Sequence, residues 1–158
     1  MSFDRDAVGR ALGRIPSGLF LCACGRGPTV VPFIASWVMQ ASFEPPAISV
    51  AIEESRAALD ALEASDGHFT LSILPELRHD LMKPFFQKND TDPFGDSKIA
   101  ASPHGGTYLA ESLAWLDCRK LTECSVGKHR VIVGEILDGN VLAEGAPIVH
   151  LRKHGFSY

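Results

Sequence analysis

The stretch FIASWVMQASFEPPAISVAI, residues 33–52, decides how the chain passes from one strand to the next. An apolar run leads into small and hydroxylic residues, and two prolines then precede a second apolar run. Because Pro45 and Pro46 donate no backbone hydrogen bond and disfavour a helical conformation before them, they indicate a corner between two strands. Three polar side chains stand where a buried sheet would favour Val or Ile: Ser36, Gln40 and Ser42. The corner is therefore either a polar loop or a place where a flat polar ligand approaches the backbone.

Outward from this corner, apolar runs and alternating patterns predict further strands. The predicted strands cover residues 19–24, 29–37, 47–52, 68–73, 113–124, 129–137 and 148–151. The alternation within 68–73 is that of a half-buried strand, and Gly139 with Asn140 predicts a turn after residue 137. Many antiparallel strands joined by short glycine-containing turns are typical of a β-barrel.

Helical spacing of apolar residues predicts helices at residues 3–14, 56–64 and 76–86. Ser55 is a good N-cap for the second helix, and Pro84 should kink or end the third. The segment 87–108 has no clear period, so it either covers a site or an interface or is disordered. These patterns together predict a mainly β fold with helices set apart from the strands.

Length and composition indicate one globular domain that spans residues 1–158 and buries its own core. A net charge of −4 predicts no basic surface, so nucleic acid is not an expected partner. No apolar run approaches the roughly 20 residues of a membrane span, and the first residues do not resemble a secretory signal. The four cysteines are expected to be buried free thiols in a reducing cytosol, and the scattered histidines predict no metal site. We therefore expect a cytoplasmic protein without a bound metal.

Few candidate sites can be derived from the residues alone. Ser55 and Arg56 open a predicted helix, where free N–H groups, the helix dipole and the guanidinium favour an anion. The alternative is a capping serine beside a solvated arginine. His129 opens a predicted strand, and a lone histidine there is often structural. The sequence has no Rossmann glycine motif after a strand and no nucleophile elbow, so a dinucleotide fold and a hydrolase have no support.

Several segments, taken in order, resemble the flavin reductase-like FMN-binding split-barrel family. The central ones are Ala35-Ser36-Trp37-Val38 and Ala41-Ser42-Phe43-Glu44-Pro45-Pro46. The others are LGRIPSGL at 12–19, LMKPF at 81–85, AWLDCR at 114–119, GKH at 127–129 and RKHGFSY at 152–158. The last two look most like the C-terminal flavin reductase module of diflavin-type flavodiiron proteins. The resemblance implies an antiparallel split β-barrel of Greek-key topology that works as a homodimer, with noncovalent FMN, or FAD, in a groove at the subunit interface.

The resemblance also implies which side chains bind the cofactor. The implied flavin-binding residues are Ala35, Ser36, Trp37, Val38, Gln40, Ala41, Ser42, Ser55, Arg56, Lys83 and Phe85. Ser55 and Arg56 would lie beside the phosphate, and Lys83 and Phe85 would reach the flavin from the following helix. His129 would be the catalytic residue, near the nicotinamide side of the flavin. Lys128 replaces the aspartate of the family motif, and it would attract anionic groups of the donor or be solvated.

The implied function is an NAD(P)H:flavin oxidoreductase. Electrons would pass from the nicotinamide donor through bound flavin to free flavin, iron or a protein acceptor. Such an enzyme positions the cofactor and tunes its electrostatics, so His129 would position or polarise and would not act as a base. Two alternatives are a flavoredoxin-like FMN electron carrier reduced by a partner protein, and a non-enzymatic flavin-binding module.

Overall fold

The computed structural model describes residues 3–86 and 92–156. The described residues form eleven strands: β1 (Ser17–Gly18), β2 (Phe20–Cys24), β3 (Val31–Ala35), β4 (Val38–Phe43), β5 (Pro46–Glu53), β6 (His68–Ile73), β7 (Ile99–Ala101), β8 (Thr107–Leu109), β9 (Ala114–Val126), β10 (His129–Val141) and β11 (Val149–His150). Two α-helices, α1 (Arg5–Leu12) and α2 (Ala57–Ala64), and two 3₁₀ helices, Gly27–Thr29 and His79–Phe86, complete the fold. Within these residues, no helix is long and apolar enough to cross a membrane.

The main sheet is an antiparallel, split barrel. Its strand order is β3-β2-β6-β9-β10-β5-β4, so β3 and β4 are its two edges. Only Ser36 and Trp37 separate these edge strands along the chain. Because Ala35 and Val38 are three residues apart, they cannot lie more than about 11 Å from each other. The sheet must therefore curl until its edges meet at this link, which confirms the predicted mainly β split barrel.

The corner around residues 36–42 is more regular than a polar loop. Val38–Phe43 is a strand, which pairs with β5 from Val38 opposite Val50 to Phe43 opposite Pro46. The turn between β4 and β5 falls at Glu44 and Pro45, as the two prolines predicted. Polar side chains are tolerated along β4 because it is an edge strand with mostly exposed residues.

Two predicted features of the strands are wrong. The strand β6 is buried on both faces, not half-buried, because α2 packs near one part of it and the β7–β8 hairpin hydrogen-bonds its hydroxyls. The Ser72 hydroxyl accepts from the Leu109 N–H at 3.0 Å, and the Thr70 hydroxyl donates to the Thr107 carbonyl. Gly139 and Asn140 form no turn, since β10 continues through them after a register shift and still pairs with β9.

The helices also differ from the prediction at their ends. Arg56 is the N-cap of α2 and no side chain caps this helix, so the Ser55 cap is wrong. The third predicted helix is a 3₁₀ helix that begins only at His79. The Glu76 N–H donates to the Ala146 carbonyl at 2.8 Å and the Arg78 N–H donates to the Pro75 carbonyl at 3.0 Å, so residues 75–78 form a separate turn. Leu77 is consequently 90% exposed and contributes nothing to the core.

Apolar side chains form two packed clusters. One lies between the main sheet and α2 and includes Phe69, Leu71, Ile132 and Leu62. The other lies beneath the 3₁₀ helix and the β7–β8 hairpin and includes Leu81, Met82 and Phe94. All four cysteines are free, and three of them are buried: Cys22, Cys24 and Cys118. Cys124 is exposed, contrary to prediction, because it lies toward the end of the long β9–β10 hairpin.

Part of the predicted loop 87–108 is structured. Residues 99–101 and 107–109 pair as a hairpin in which Ile99 lies opposite Leu109. Arg78 and Lys98 both contact the carboxylate of Glu111, at 3.3 and 3.7 Å, so surface charges connect this region to the 3₁₀ helix. Residues 87–91 lie outside the described residues.

Candidate flavin-site cleft

The split of the barrel opens into a cleft of about 540 Å³. We call it the split cleft. Its lining comes from the turn after α1, the link between the edge strands, the barrel strands and the last described residues: Leu12, Ile15, Pro16, Ser17, Ser36, Trp37, Val38, Met39, Ser49, Ala51, Val131, Arg152, Gly155 and Phe156. Most of these side chains are apolar. A cavity of this size and character is typical of a small-molecule or cofactor site.

The Ser36 hydroxyl is the buried polar atom of the cleft. Ser36 is 7% exposed, and its Oγ has no hydrogen-bond partner among the described residues. Leaving a buried hydroxyl unpaired costs on the order of 1–3 kcal/mol, so native structures normally supply a partner. A ligand in the split cleft would supply one.

Trp37 forms an aromatic wall at the link. The Ala51 N–H donates to its carbonyl at 3.0 Å, which ties the link to β5. Its ring lies 5.0 Å from the ring of His129, tilted by 47°, and the Arg152 guanidinium lies 5.0 Å from its centroid. Trp37 therefore contacts both the predicted catalytic residue and a cation that the sequence did not single out. His129 packs against Trp37 and is not among the lining residues.

The segment 152–156 packs on α1 through three glycines. The Gly155 N–H donates to the Gly9 carbonyl at 2.7 Å. A Cβ on Gly13 would lie 2.5 Å from the Arg152 carbonyl oxygen, and one on Gly155 would lie 2.1 Å from the Leu12 Cβ. We call this contact the terminal clasp. Gly9 and Gly13, four residues apart, share one face of α1, and that spacing is the sequence signal that could have revealed it.

The predicted anion pair lies close to the predicted catalytic turn. The Glu54 N–H donates to the Lys128 carbonyl at 2.9 Å, and His129 pairs with Glu53 in the β5–β10 ladder. Ser55 and Arg56 follow directly, both exposed, and the Arg56 guanidinium lies 5.3 Å from the Phe33 ring. The structure therefore brings these two predicted groups to one end of the barrel, outside the lining of the split cleft.

The other predicted flavin contacts are spread over the chain. Ala35 is buried in the core, whereas Gln40 and Ala41 are exposed on β4. The Ser42 hydroxyl accepts from the Glu44 N–H at 3.2 Å. Lys83 is exposed on the 3₁₀ helix, and Phe85 packs edge-on against Phe94 with centroids 6.1 Å apart. Among the predicted contacts, the split cleft of one chain includes Ser36, Trp37 and Val38.

A buried histidine–carboxylate pair, which the sequence did not indicate, lies away from the cleft lining. His68 Nε2 lies 2.5 Å from Asp117 Oδ1, and both side chains are fully buried. Burial alone would raise the pKa of Asp117, but the hydrogen bond and charge of His68, helped by Ser102 and His104, hold that pKa below its usual value. No cluster of three potential metal ligands occurs in the described part of the chain.

An antiparallel barrel with an aromatic, largely apolar cleft at its split has the architecture of a small cofactor-binding domain. The model of the family described as "Flavin reductase like domain" matches residues 12–157. The chain belongs to this family, which confirms the resemblance found in the sequence.

Relatives and solved structures agree with this membership. Diflavin flavoprotein A 1 of Synechocystis sp. is 33% identical over 161 residues, which covers 99% of this chain but 28% of that protein. The chain thus spans little more than a quarter of that relative. Streptomyces globisporus NADH:FAD oxidoreductase SgcE6, solved with NAD and FAD fragments, has a TM-score of 0.81 at 19% identity, covering 92% of this chain and 86% of that one. A flavin reductase domain protein from Arthrobacter sp. FB24 has a TM-score of 0.79 at 20% identity, with 89% and 87% covered.

Proposed function

We propose that this protein binds a flavin at the split of the barrel and acts as an NAD(P)H:flavin oxidoreductase. FMN is the expected flavin, with FAD as the alternative. The observation that carries the proposal is the buried hydroxyl of Ser36, which has no partner within residues 3–86 and 92–156 and lies in a cleft walled by Trp37, in a chain of the flavin reductase-like family. A bound flavin supplies the acceptor for a hydride from the nicotinamide donor.

The residues of the chain would bind and orient both ligands. The Ser36 hydroxyl would hydrogen-bond a polar edge of the flavin, and Trp37 with Val38 would exclude water from one face. His129, which contacts the Trp37 ring, would fix that ring and thereby the approach of the donor. Ser55 and Arg56 would lie toward the phosphate end, with Lys128 nearby to attract the anionic donor.

A homodimer would account for the predicted contacts that lie outside the cleft. Met39 and Phe43 are 71% and 87% exposed and lie on β4, an edge strand whose outer side pairs with no strand of the described residues. We propose that a second copy covers this edge and that Gln40, Ala41, Ser42, Lys83 and Phe85 complete the flavin groove in the dimer, whereas Ala35, buried in the core, would support the groove from beneath. Analytical ultracentrifugation of the protein with and without FMN tests this assembly.

The function is tested by flavin binding followed by anaerobic reduction. Equilibrium dialysis should detect FMN or FAD at micromolar concentrations, and mixing with NADH or NADPH should bleach the flavin absorption rapidly. Bleaching that needs an added reductase would instead identify an electron carrier. That result would fit a flavin-binding module that receives electrons from another protein or domain. Bound flavin that neither route reduces would identify a non-enzymatic binding module. Absence of any flavin binding would overturn the proposal.

A further inference from the structure

We propose that Arg152 is the ligand-selecting residue of the split cleft and that it binds a phosphate group. This phosphate is either that of the flavin, which Arg152 would then share with Ser55 and Arg56, or one of the nicotinamide donor. The inference rests on the proposed function, because it assumes that a flavin binds at the split. It assigns to the segment 152–156 a role in choosing the ligand.

The charge distribution of the cleft carries the proposal. Among the lining residues in the described chain, Arg152 alone is charged, and the other polar side chains are serines. The lining therefore favours flat apolar rings, and an anionic group on the same ligand would pair within the cleft with this guanidinium. Flavin nucleotides and nicotinamide dinucleotides share this chemistry, because each joins flat rings to phosphate.

Arg152 is better placed to bind a phosphate than a mobile surface cation would be. Its guanidinium lies over the Trp37 ring, with Cζ 5.0 Å from the centroid, which is within the range of a cation–π contact, and a guanidinium is a rigid planar fork of N–H donors. Such a planar fork binds phosphate through two parallel hydrogen bonds, which a lysine does not reproduce. Ser36 Oγ, buried in the same lining and without a hydrogen-bond partner among the residues that the structure describes, offers a further hydrogen bond to the ligand.

The terminal clasp holds this cation in place before the ligand arrives. Gly13 fits directly against the Arg152 carbonyl, and Gly155 is hydrogen-bonded to Gly9 and packed on Leu12. The backbone from Arg152 to Gly155 is thereby packed against α1. A binding group that is already ordered loses less conformational entropy on binding, so its contribution to affinity is larger.

Paired ligands with and without phosphate separate charge recognition from packing. Equilibrium dialysis would compare FMN with riboflavin on the wild-type protein and on Arg152→Gln, Arg152→Lys and Lys153→Gln. The last variant removes the same charge from the exposed neighbour of Arg152. If the phosphate is that of the flavin, Arg152→Gln weakens FMN roughly ten- to a hundredfold. Riboflavin then stays within about twofold, Arg152→Lys recovers part of the loss, and Lys153→Gln behaves as wild type.

A second pair of ligands tests the donor. If the phosphate is that of the donor, Arg152→Gln raises the KM for NAD(P)H by a similar factor at unchanged kcat. Reduction by 1-benzyl-1,4-dihydronicotinamide, which has no phosphate, then stays unchanged. The inference is overturned if Arg152→Gln changes neither the affinity for FMN nor the KM for NAD(P)H. It is also overturned if riboflavin binding and reduction by the benzyl donor weaken as much as FMN binding and reduction by NAD(P)H, since Arg152 would then act only by packing on Trp37. Wild-type protein that binds no flavin would instead overturn the proposed function, on which the inference depends.

Discussion

Two histidines begin strands of the same barrel, yet their surroundings differ in every respect. His68 begins β6, is fully buried and lies against the carboxylate of Asp117. His129 begins β10, is half-buried and lies against the ring of Trp37 beside the split cleft. The comparison teaches that position in a strand does not decide the role of a histidine. Burial with a charged partner favours a structural role, whereas partial exposure beside a cavity favours a role toward ligands.

The largest expected effect is the loss of the buried pair. Asp117→Ala should lower the free energy of unfolding by about 3–5 kcal/mol, because it leaves His68 buried without its carboxylate. Urea denaturation followed by circular dichroism measures this loss. His129→Ala is the matched control, and its loss should stay within about 1 kcal/mol. Equal losses in the two variants would show that the two histidines do not differ in role.

The pH dependence of stability provides a second readout of the same variant. Because the pKa of Asp117 is lower in the folded protein than in the unfolded chain, the carboxylate contributes stability above its unfolded pKa of about 3.9. That contribution is lost as the pH falls through the lower, folded pKa. Wild-type stability should therefore fall in acid more steeply than that of Asp117→Ala, and parallel curves would contradict the assignment.

The sequence could predict most of the fold because local signals and tertiary structure agree there. The prolines at 45–46 and the apolar runs on either side of them led to the correct positions of β3 and β5. The buried pair could not be found this way. The alternation of 68–73 indicated one solvated face, but the β7–β8 hairpin, from a segment without any period, covers that face. Burial of His68 depends on a contact between residues that are far apart in the chain.

The second largest effect concerns the rate of flavin reduction. His129→Ala should slow reduction by NAD(P)H by up to about a hundredfold, because the Trp37 ring loses the neighbour that orients it and the reacting groups become misaligned. Flavin affinity should change much less. Stopped-flow absorption under anaerobic conditions measures the rate, and dialysis measures the affinity. An unaltered rate together with lower thermal stability would place His129 with His68 as a structural residue.

The site was less predictable than the fold for a physical reason. Ser36, Trp37 and Val38 were identified because they lie in one continuous motif, and the structure places them together in the lining. Arg152 lies in the segment 152–158, which resembles the family, but no feature of that segment indicates a role for this arginine. Its position in the cleft depends on the terminal clasp, which joins residues about 140 positions apart. No local pattern indicates which aromatic ring such a distant cation will contact.

The smallest expected effect is on the KM for NAD(P)H and comes from Lys128, the exposed neighbour of His129. Lys128 precedes His129 in an exposed turn, and its carbonyl accepts from the Glu54 N–H. An exposed charge of this kind contributes about 0.2–1 kcal/mol, so Lys128→Gln should raise the KM for NAD(P)H by no more than about fivefold. Steady-state kinetics at low salt measures this change. Lys98→Gln is the matched control, because Lys98 is also an exposed cation and contacts Glu111 near the β7–β8 hairpin.

High salt should weaken the effect of the exposed Lys128 beside His129 but not the effect of the buried Asp117 beside His68. The Debye length falls from about 10 Å at 0.1 M to about 3 Å at 1 M ionic strength, so attraction between exposed charges is largely screened at the higher value. The KM values of wild type and Lys128→Gln should therefore converge in 1 M salt. The stability difference between wild type and Asp117→Ala should persist there, because the His68–Asp117 pair is shielded from solvent. A Lys128 effect that survives 1 M salt would mean that this side chain contacts the donor directly.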